Sequence, residues 1–229
     1  VELAFMSNSE DEMGLLDDDF RKEIAERIVG GVEEWLEGCE DSLRMGKGKP
    51  SFSMRRSGQS MIIREWTRED LPAVRHITWE TWVATYSSFI PMEDLRGYCD
   101  EHYSIDALAE LMESPSFRGL LAIEDGVPVG YAKVKYNSEE KRCYLSSLYI
   151  LPAFQGGGIG SRLLAAGEKF AGTYGVGEIW LGVMVQNSSA LAWYRKIGFE
   201  FVEEAPFTMG KTTVTHLIGY RAIPQQGGA

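Results

Sequence analysis

The chain has 229 residues, 44% of them hydrophobic, enough to bury one sizeable core with residues left over for an appendage. A formal net charge of −11 and a sequence pI near 4.9 exclude a phosphate-binding face of clustered Lys and Arg, so no nucleic-acid partner is expected and a neutral or cationic small molecule fits better. Cys39, Cys99 and Cys143 are odd in number and form no C-x-x-C pair, which excludes a disulfide framework and a zinc knuckle; no metal is expected, and a reducing cytoplasm is the expected location.

The opening VELAFMSNSEDEMG is too acidic and too briefly apolar for a signal peptide. No apolar run is long enough to cross a bilayer, so no membrane partner is expected. Phe20, Ile24, Ile28, Val32, Trp35, Cys39 and Leu43 then recur at spacings of three and four, one stripe on a helix that Gly30 and Gly31 interrupt. GKGKPSFSMRRSGQS lacks periodicity and reads as a linker. Residues 1–60 are thus expected to form an N-terminal helical extension and linker, and residues 61–229 a compact domain. A stripe carrying Trp35 rarely stays solvated, so packing on that domain or pairing of two protomers into a homodimer is expected, against a fortuitous extension upstream of a start at Met61.

Within the domain MIIREW reads as a strand. Thr67 with Asp70 resembles a capping pair that opens a helix through Val74, Ile77 and Val83. GLLAIEDGVPVGYAKVKY gives two strands around an Asp125-Gly126 turn, and CYLSSLYIL a third. After SRLLAAGEKFAGTYG, a helix, EIWLGVMV reads as a strand apolar on both faces. SSALAWYRKIGF is a helix closed by Gly198, and a last hairpin turns at Met209-Gly210-Lys211 into TVTHLIGYRA.

Between the third strand and its helix lies LPAFQGGGIGS. The dinucleotide fingerprint G-x-G-x-x-G fails here, because its last position falls on Ser161 or Leu163, and the P-loop fails for want of a following Lys. What remains is Gln155, Gly156, Gly157, Gly158, Ile159, Gly160 and Ser161 leading into a helix. Such a loop either cradles an anion with bare backbone N–H groups at the positive helix end, or is only a tight turn. Further on, Asn187 precedes a helix in which Tyr194 and Lys196 lead to Gly198-Phe199.

The pairing of LYILPAFQGGGIG with N-x-x-A-x-x-x-Y-x-K-x-G-F resembles the GNAT superfamily of acyl-coenzyme A dependent N-acetyltransferases, over roughly residues 61–223. TWVATYSSFIPMEDLRGYCDEHYS, VGYAKV, IWLGVMVQN and the ending F-T-M-G…T-H-L-I look like the PaiA-type polyamine N-acetyltransferases. His216 and Met184 depart from that group's pattern. The resemblance implies an α/β (α+β) fold: a mixed, mostly antiparallel central sheet, splayed at the strands CYLSSLYIL and EIWLGVMV, with helices on both faces. It also implies acetyl-CoA as co-substrate and a small-molecule amine, a polyamine such as spermidine, as acceptor.

The same resemblance places the coenzyme's diphosphate on Gln155 to Ser161 and its pantetheine arm along Tyr149, Ile150 and Leu151, with Asn187, Tyr194 and Lys196 completing the site. Asn187 is expected to cap its helix as well. Tyr194 stands where the superfamily has its general acid, and a core tyrosine is the competing reading. An alkylammonium with a pKa of about 10.4 costs roughly 4 kcal/mol to deprotonate at neutral pH. Glu80, directly or through water, is the first choice of base, against a solvated helix carboxylate; His216 is the alternative, against a packed strand histidine. The segment from Trp79 to His102 is the expected acceptor lid, with Glu80, Glu93, Asp94, Asp100 and Glu101 offering carboxylates to a polycation. A peptide or protein N-terminal acetyltransferase and a non-catalytic acyl-CoA-binding regulatory domain are the competing functions.

Overall fold

The computed structural model describes residues 60–223. The expected helical extension and linker over 1–60 therefore lie outside the described residues.

The chain enters on β1 (Met61–Glu65), turns through a short 3-10 segment at Arg68–Asp70, and runs into α1 (Leu71–Tyr86), α2 (Met92–His102) and α3 (Ile105–Met112). The Thr67 and Asp70 pair forms as expected: the Asp70 carboxylate accepts the Thr67 N–H at 2.6 Å and the Arg64 guanidinium at 2.6 and 2.8 Å. The meander β2 (Phe117–Glu124), β3 (Val127–Asn137) and β4 (Arg142–Ile150) follows. Asp125 and Gly126 both take positive φ, 49° and 83°, which closes the β2–β3 hairpin with the twist its strands need. Then come α4 (Ile159–Gly172), β5 (Glu178–Met184), α5 (Ser188–Lys196), β6 (Glu200–Met209) and β7 (Thr212–Ala222).

The seven strands form one sheet in the order β1-β2-β3-β4-β5-β7-β6, and every neighbouring pair is antiparallel except β4 and β5. That parallel pair joins only at Cys143↔Ile179 and Tyr144↔Trp180, although β4 stays paired with β3 as far as Gly130↔Ile150. Beyond Tyr144 and Trp180 the two strands part, so the expected splay is present. One hydrophobic core lies under α1, α2 and α3 and is built on Trp82, Leu95, Leu108 and Tyr131. The other lies under α4 and α5, on Leu163, Leu164, Ile179 and Leu191. Burying apolar side chains on both sheet faces is what makes β2 to β5 read as near-continuous apolar runs.

The stretch expected to be the acceptor lid forms the second half of α1 and the whole of α2. Buried Leu95 and Cys99 fix α2 to the core. Among the described residues no helix is long and apolar enough to cross a membrane.

Candidate active site

Where β4 leaves the sheet, Pro152–Phe154 make a 3-10 turn and the glycine loop begins. Gly156 and Gly158 have φ of 81° and 84°, a conformation that a β-carbon makes costly. Neither would bring a β-carbon within 4 Å of any heavy atom, so one side of the loop is open. Among the described residues, no backbone or side-chain acceptor takes the N–H groups of Gly156 through Ser161, and no acidic side chain stands in the first turn of α4. A row of unpaired donors at the positive end of a 14-residue helix can seat an anion, and the open side leaves room for one. Ile159 turns into the core and Ser161 is exposed.

The strand edge beside the loop has its own directionality. The Leu151 N–H donates to the Val129 carbonyl at 2.9 Å, towards β3. Alternation along the strand therefore turns the N–H and C=O of Ile150 the other way, into the gap that β5 vacates. Gln155 Nε2 donates to that Ile150 carbonyl at 2.9 Å, so its side chain ties the loop to the strand edge. Tyr149 sends its half-buried ring towards α1, 6.2 Å from the Trp82 ring and 5.7 Å from that of Tyr131.

Across the gap, Asn187 caps α5: its Oδ1 accepts the Ala190 N–H and the Ser189 hydroxyl, each at 3.2 Å. Tyr194, on the next turns of that helix, is buried with its ring edge-on to Phe199 at 5.2 Å. Burial, with Tyr86 close by, pushes its phenol well above the usual tyrosine range. The Tyr86 hydroxyl, from the last turn of α1, is within reach of Tyr149 and Asn187. Four polar tips from three elements thus meet at the open end of the splay: Tyr86, Tyr149, Asn187 and Tyr194. Trp82 lies beside them with its indole Nε1 buried near the Tyr149 hydroxyl and, among the described residues, without a well-formed hydrogen bond. Lys196 is exposed on the last turn of α5.

Of the two candidate bases, Glu80 faces solvent and His216 lies on β7 with its ring beside Gly182 of β5. Thr78, Thr81 and Trp82 occupy the inward side of α1, which leaves Glu80 on its solvent-facing side. His216 sits on β7 opposite Met184 and Ala205, stacked on Phe207 at 4.4 Å with the ring planes 7° apart. Burial pushes its imidazole down to about 4. It is neutral at pH 7 and a weak base there.

The acids expected to receive a polycation are partly engaged inside the protein. Asp94 is buried; its Oδ1 accepts the Lys211 N–H at 3.0 Å and its Oδ2 the Thr212 hydroxyl at 2.6 Å, which latches α2 to the β6–β7 hairpin. Asp100 pairs with Arg75, while Glu93 and Glu101 stay exposed. Sequence reasoning passed over Trp82, Tyr86 and Trp193. The one signal was the spacing of Trp82 and Tyr86, which places two aromatics on one face of a helix.

The model of the acetyltransferase (GNAT) family matches residues 71–199. An uncharacterised N-acetyltransferase of Mycobacterium tuberculosis is 31% identical over 118 residues, 52% of this chain and 75% of the relative. The spermidine N(1)-acetyltransferase of Thermoplasma acidophilum is 30% identical over 158 residues, 66% of this chain and 97% of the relative. Among solved structures, the PaiA N-acetyltransferase of Thermoplasma acidophilum in complex with coenzyme A superposes with a TM-score of 0.62 at 25% identity, over 71% of this chain and 99% of that one. The matched residues run from α1 to the end of α5 and take in the splayed strands, the glycine loop and Tyr194. The chain belongs to the GNAT family of acetyltransferases.

Proposed function

We propose that this N-acetyltransferase moves the acetyl group of acetyl-CoA to a primary amine of a small molecule, by direct attack in a ternary complex. One observation carries the reading: the unpaired N–H groups of Gly156 through Ser161 face open space beside the gap between β4 and β5. These donors suit a diphosphate, and the gap-facing N–H and C=O of Ile150 suit the amides of a pantetheine arm, as an added strand would. When bound, acetyl-CoA supplies the activated thioester. The amine nitrogen forms a bond to the thioester carbonyl carbon as the carbon–sulfur bond breaks; the nitrogen gives up a proton and the sulfur gains one.

Tyr194 holds the proton for the sulfur. Its raised pKa keeps the phenol protonated through the working pH range. The same burial makes a thiolate more basic, as it does for the Cys99 and Cys143 thiols, both pushed up to about 11. Donor and acceptor are therefore closer in strength than their aqueous values imply. Glu80 faces solvent and His216 is held near 4, so exclusion of water around Trp82, Tyr86 and Tyr149 carries more of the cost of stripping the amine than either base does.

The Thermoplasma relative supports a polyamine as acceptor. Acetyl-CoA incubated with the full chain and a panel of amines that includes spermidine, read by release of free thiol, tests the proposal. Thiol release that depends on a small amine supports it. Turnover of peptide N-termini alone favours a peptide acetyltransferase, and coenzyme binding without turnover of any amine a regulatory binder.

A further inference from the structure

Gly182 is exposed although Leu181, Val183 and Met184 beside it are buried, and on β5 it stands two residues beyond Trp180, the last residue paired with β4. On β4, Ser146 stands two residues beyond Tyr144 and is likewise exposed, between buried Leu145 and Ser147. Solvent therefore enters the sheet at the point where its two central strands begin to part. Leu181 and Val183 turn into the core under α4 and α5, and Met184 into the one under α1 to α3. Alternation sets Gly182 on the same face as Met184, so the opening lies on the α1–α3 side of the sheet.

The main chain at this opening faces the gap. The Val185 N–H donates to the Thr215 carbonyl at 2.9 Å, towards β7, so alternation turns the N–H and C=O of Gly182 the other way. With a diphosphate on the loop that follows β4, an arm laid along Ile150 runs back down β4 and carries its thioester towards Ser146 and Gly182. The opening is a narrow slot. A β-carbon on Gly182 would stand 3.0 Å from His216 Nδ1 and 3.0 Å from Ile218 Cδ1. The imidazole has little room to retreat, because Phe207 is stacked on it at 4.4 Å and Tyr98 stands edge-on to Phe207 at 5.7 Å. Neutral at pH 7, it adds no charge against an incoming ammonium.

We propose that the acceptor enters through this slot, and that Gly182 and His216 together select a primary amine on an unbranched carbon chain. This rests on the acetyl-transfer reading and narrows its acceptor. To reach the thioester from the α1–α3 side, the amine brings its own carbon past Gly182, where the His216 ring and the Ile218 tip already take the room for one added carbon. A straight methylene chain passes in line. A methyl branch on the amine-bearing carbon overlaps one wall or the other. The gap-facing Gly182 carbonyl is placed to accept an N–H of the amine.

The test compares n-alkylamines with their isomers branched at the amine-bearing carbon, on the full chain. The unbranched amine is expected to exceed its isomer by about tenfold or more in kcat/KM. His216→Ala removes one wall and should bring that ratio to near one by raising the branched amine; loss of a base would instead lower both alike. If His216→Ala does not fold, Ile218→Ala widens the slot from its other side and is read the same way. Gly182→Ala should lower kcat/KM for the unbranched amine by about tenfold through the acceptor KM, with the KM for acetyl-CoA as in the parent. The imidazole proton resonances of His216, followed as n-hexylamine is added, read the slot without turnover: a saturable shift is expected in the parent, and about tenfold weaker binding in Gly182→Ala. If no amine releases thiol, acetyl transfer fails while this titration still decides the slot. Equal use of branched and unbranched amines by the parent, an unchanged ratio once a wall is removed, a Gly182→Ala effect confined to the KM for acetyl-CoA, or His216 resonances that do not move overturns the inference.

Discussion

The ring of Trp193 lies against Gly160: a β-carbon on that glycine would stand 3.2 Å from two atoms of the indole and 3.3 Å from Ile150 Cδ1. Contact this close makes the first turn of α4, the edge of β4 and the helix that carries Tyr194 one packed unit. The unpaired donors of the glycine loop and the helix that carries Tyr194 are thereby held in a fixed relation.

Gly160→Ala forces that unit apart by a few tenths of an ångström. Overpacking of this kind costs about 1 to 3 kcal/mol. We expect a lower midpoint of thermal unfolding together with a several-fold rise in the KM for acetyl-CoA. Unchanged values for both would mean that Trp193 does not buttress the loop.

Tyr194→Phe deletes one hydroxyl and keeps the ring packed on Phe199. A positioned general acid is worth on the order of 100-fold or more in rate. We expect kcat to fall by about that factor, with coenzyme affinity and melting temperature close to those of the parent. A kcat within a factor of about two of the parent leaves Tyr194 as core filling.

Asp94→Ala removes the latch between α2 and the turn at Lys211 and Thr212. Asn at the same position keeps one acceptor and should lose less. The melting temperature is expected to drop by several degrees. The KM for the acceptor should rise while that for acetyl-CoA stays put, because the latch lies on the α1–α3 side of the sheet. A rise in the coenzyme KM alone would contradict this assignment.

His216 titrates at about 4 in the folded chain against about 6.5 when unfolded. Between those values the unfolded state binds the extra proton, so stability is lost as the pH falls from about 6.5 towards 4 and is flat above that window. The loss is on the order of 3 kcal/mol. Burial lowers the pKa of His102 in the same direction, so it adds to the slope. Urea midpoints measured across this range should fall less steeply for His216→Phe than for the parent. An identical slope would show that this imidazole is not the group responsible.

The fold was legible in the sequence because its decisive features are local. Alternation, the Asp125-Gly126 turn and the glycine run report their own geometry, and the splay followed from the family resemblance that two spaced motifs carry. The acids were less legible. Glu80 and Asp94 are both helix carboxylates near aromatics, and nothing in their spacing says that one faces water while the other accepts two bonds from a hairpin 117 and 118 residues away. The contact of Trp193 with Gly160 joins two helices separated by β5, and only tertiary packing reveals it.

Coenzyme binding at the glycine loop is tested most directly by the exchange protection of its amides with and without acetyl-CoA. The amides of Gly156 through Ser161 should slow in the presence of the coenzyme. Gly158→Ala, which puts a methyl into the open side of the loop and strains a φ of 84°, should weaken coenzyme binding tenfold or more. Protection elsewhere with these six amides unchanged, or full affinity in Gly158→Ala, would contradict it.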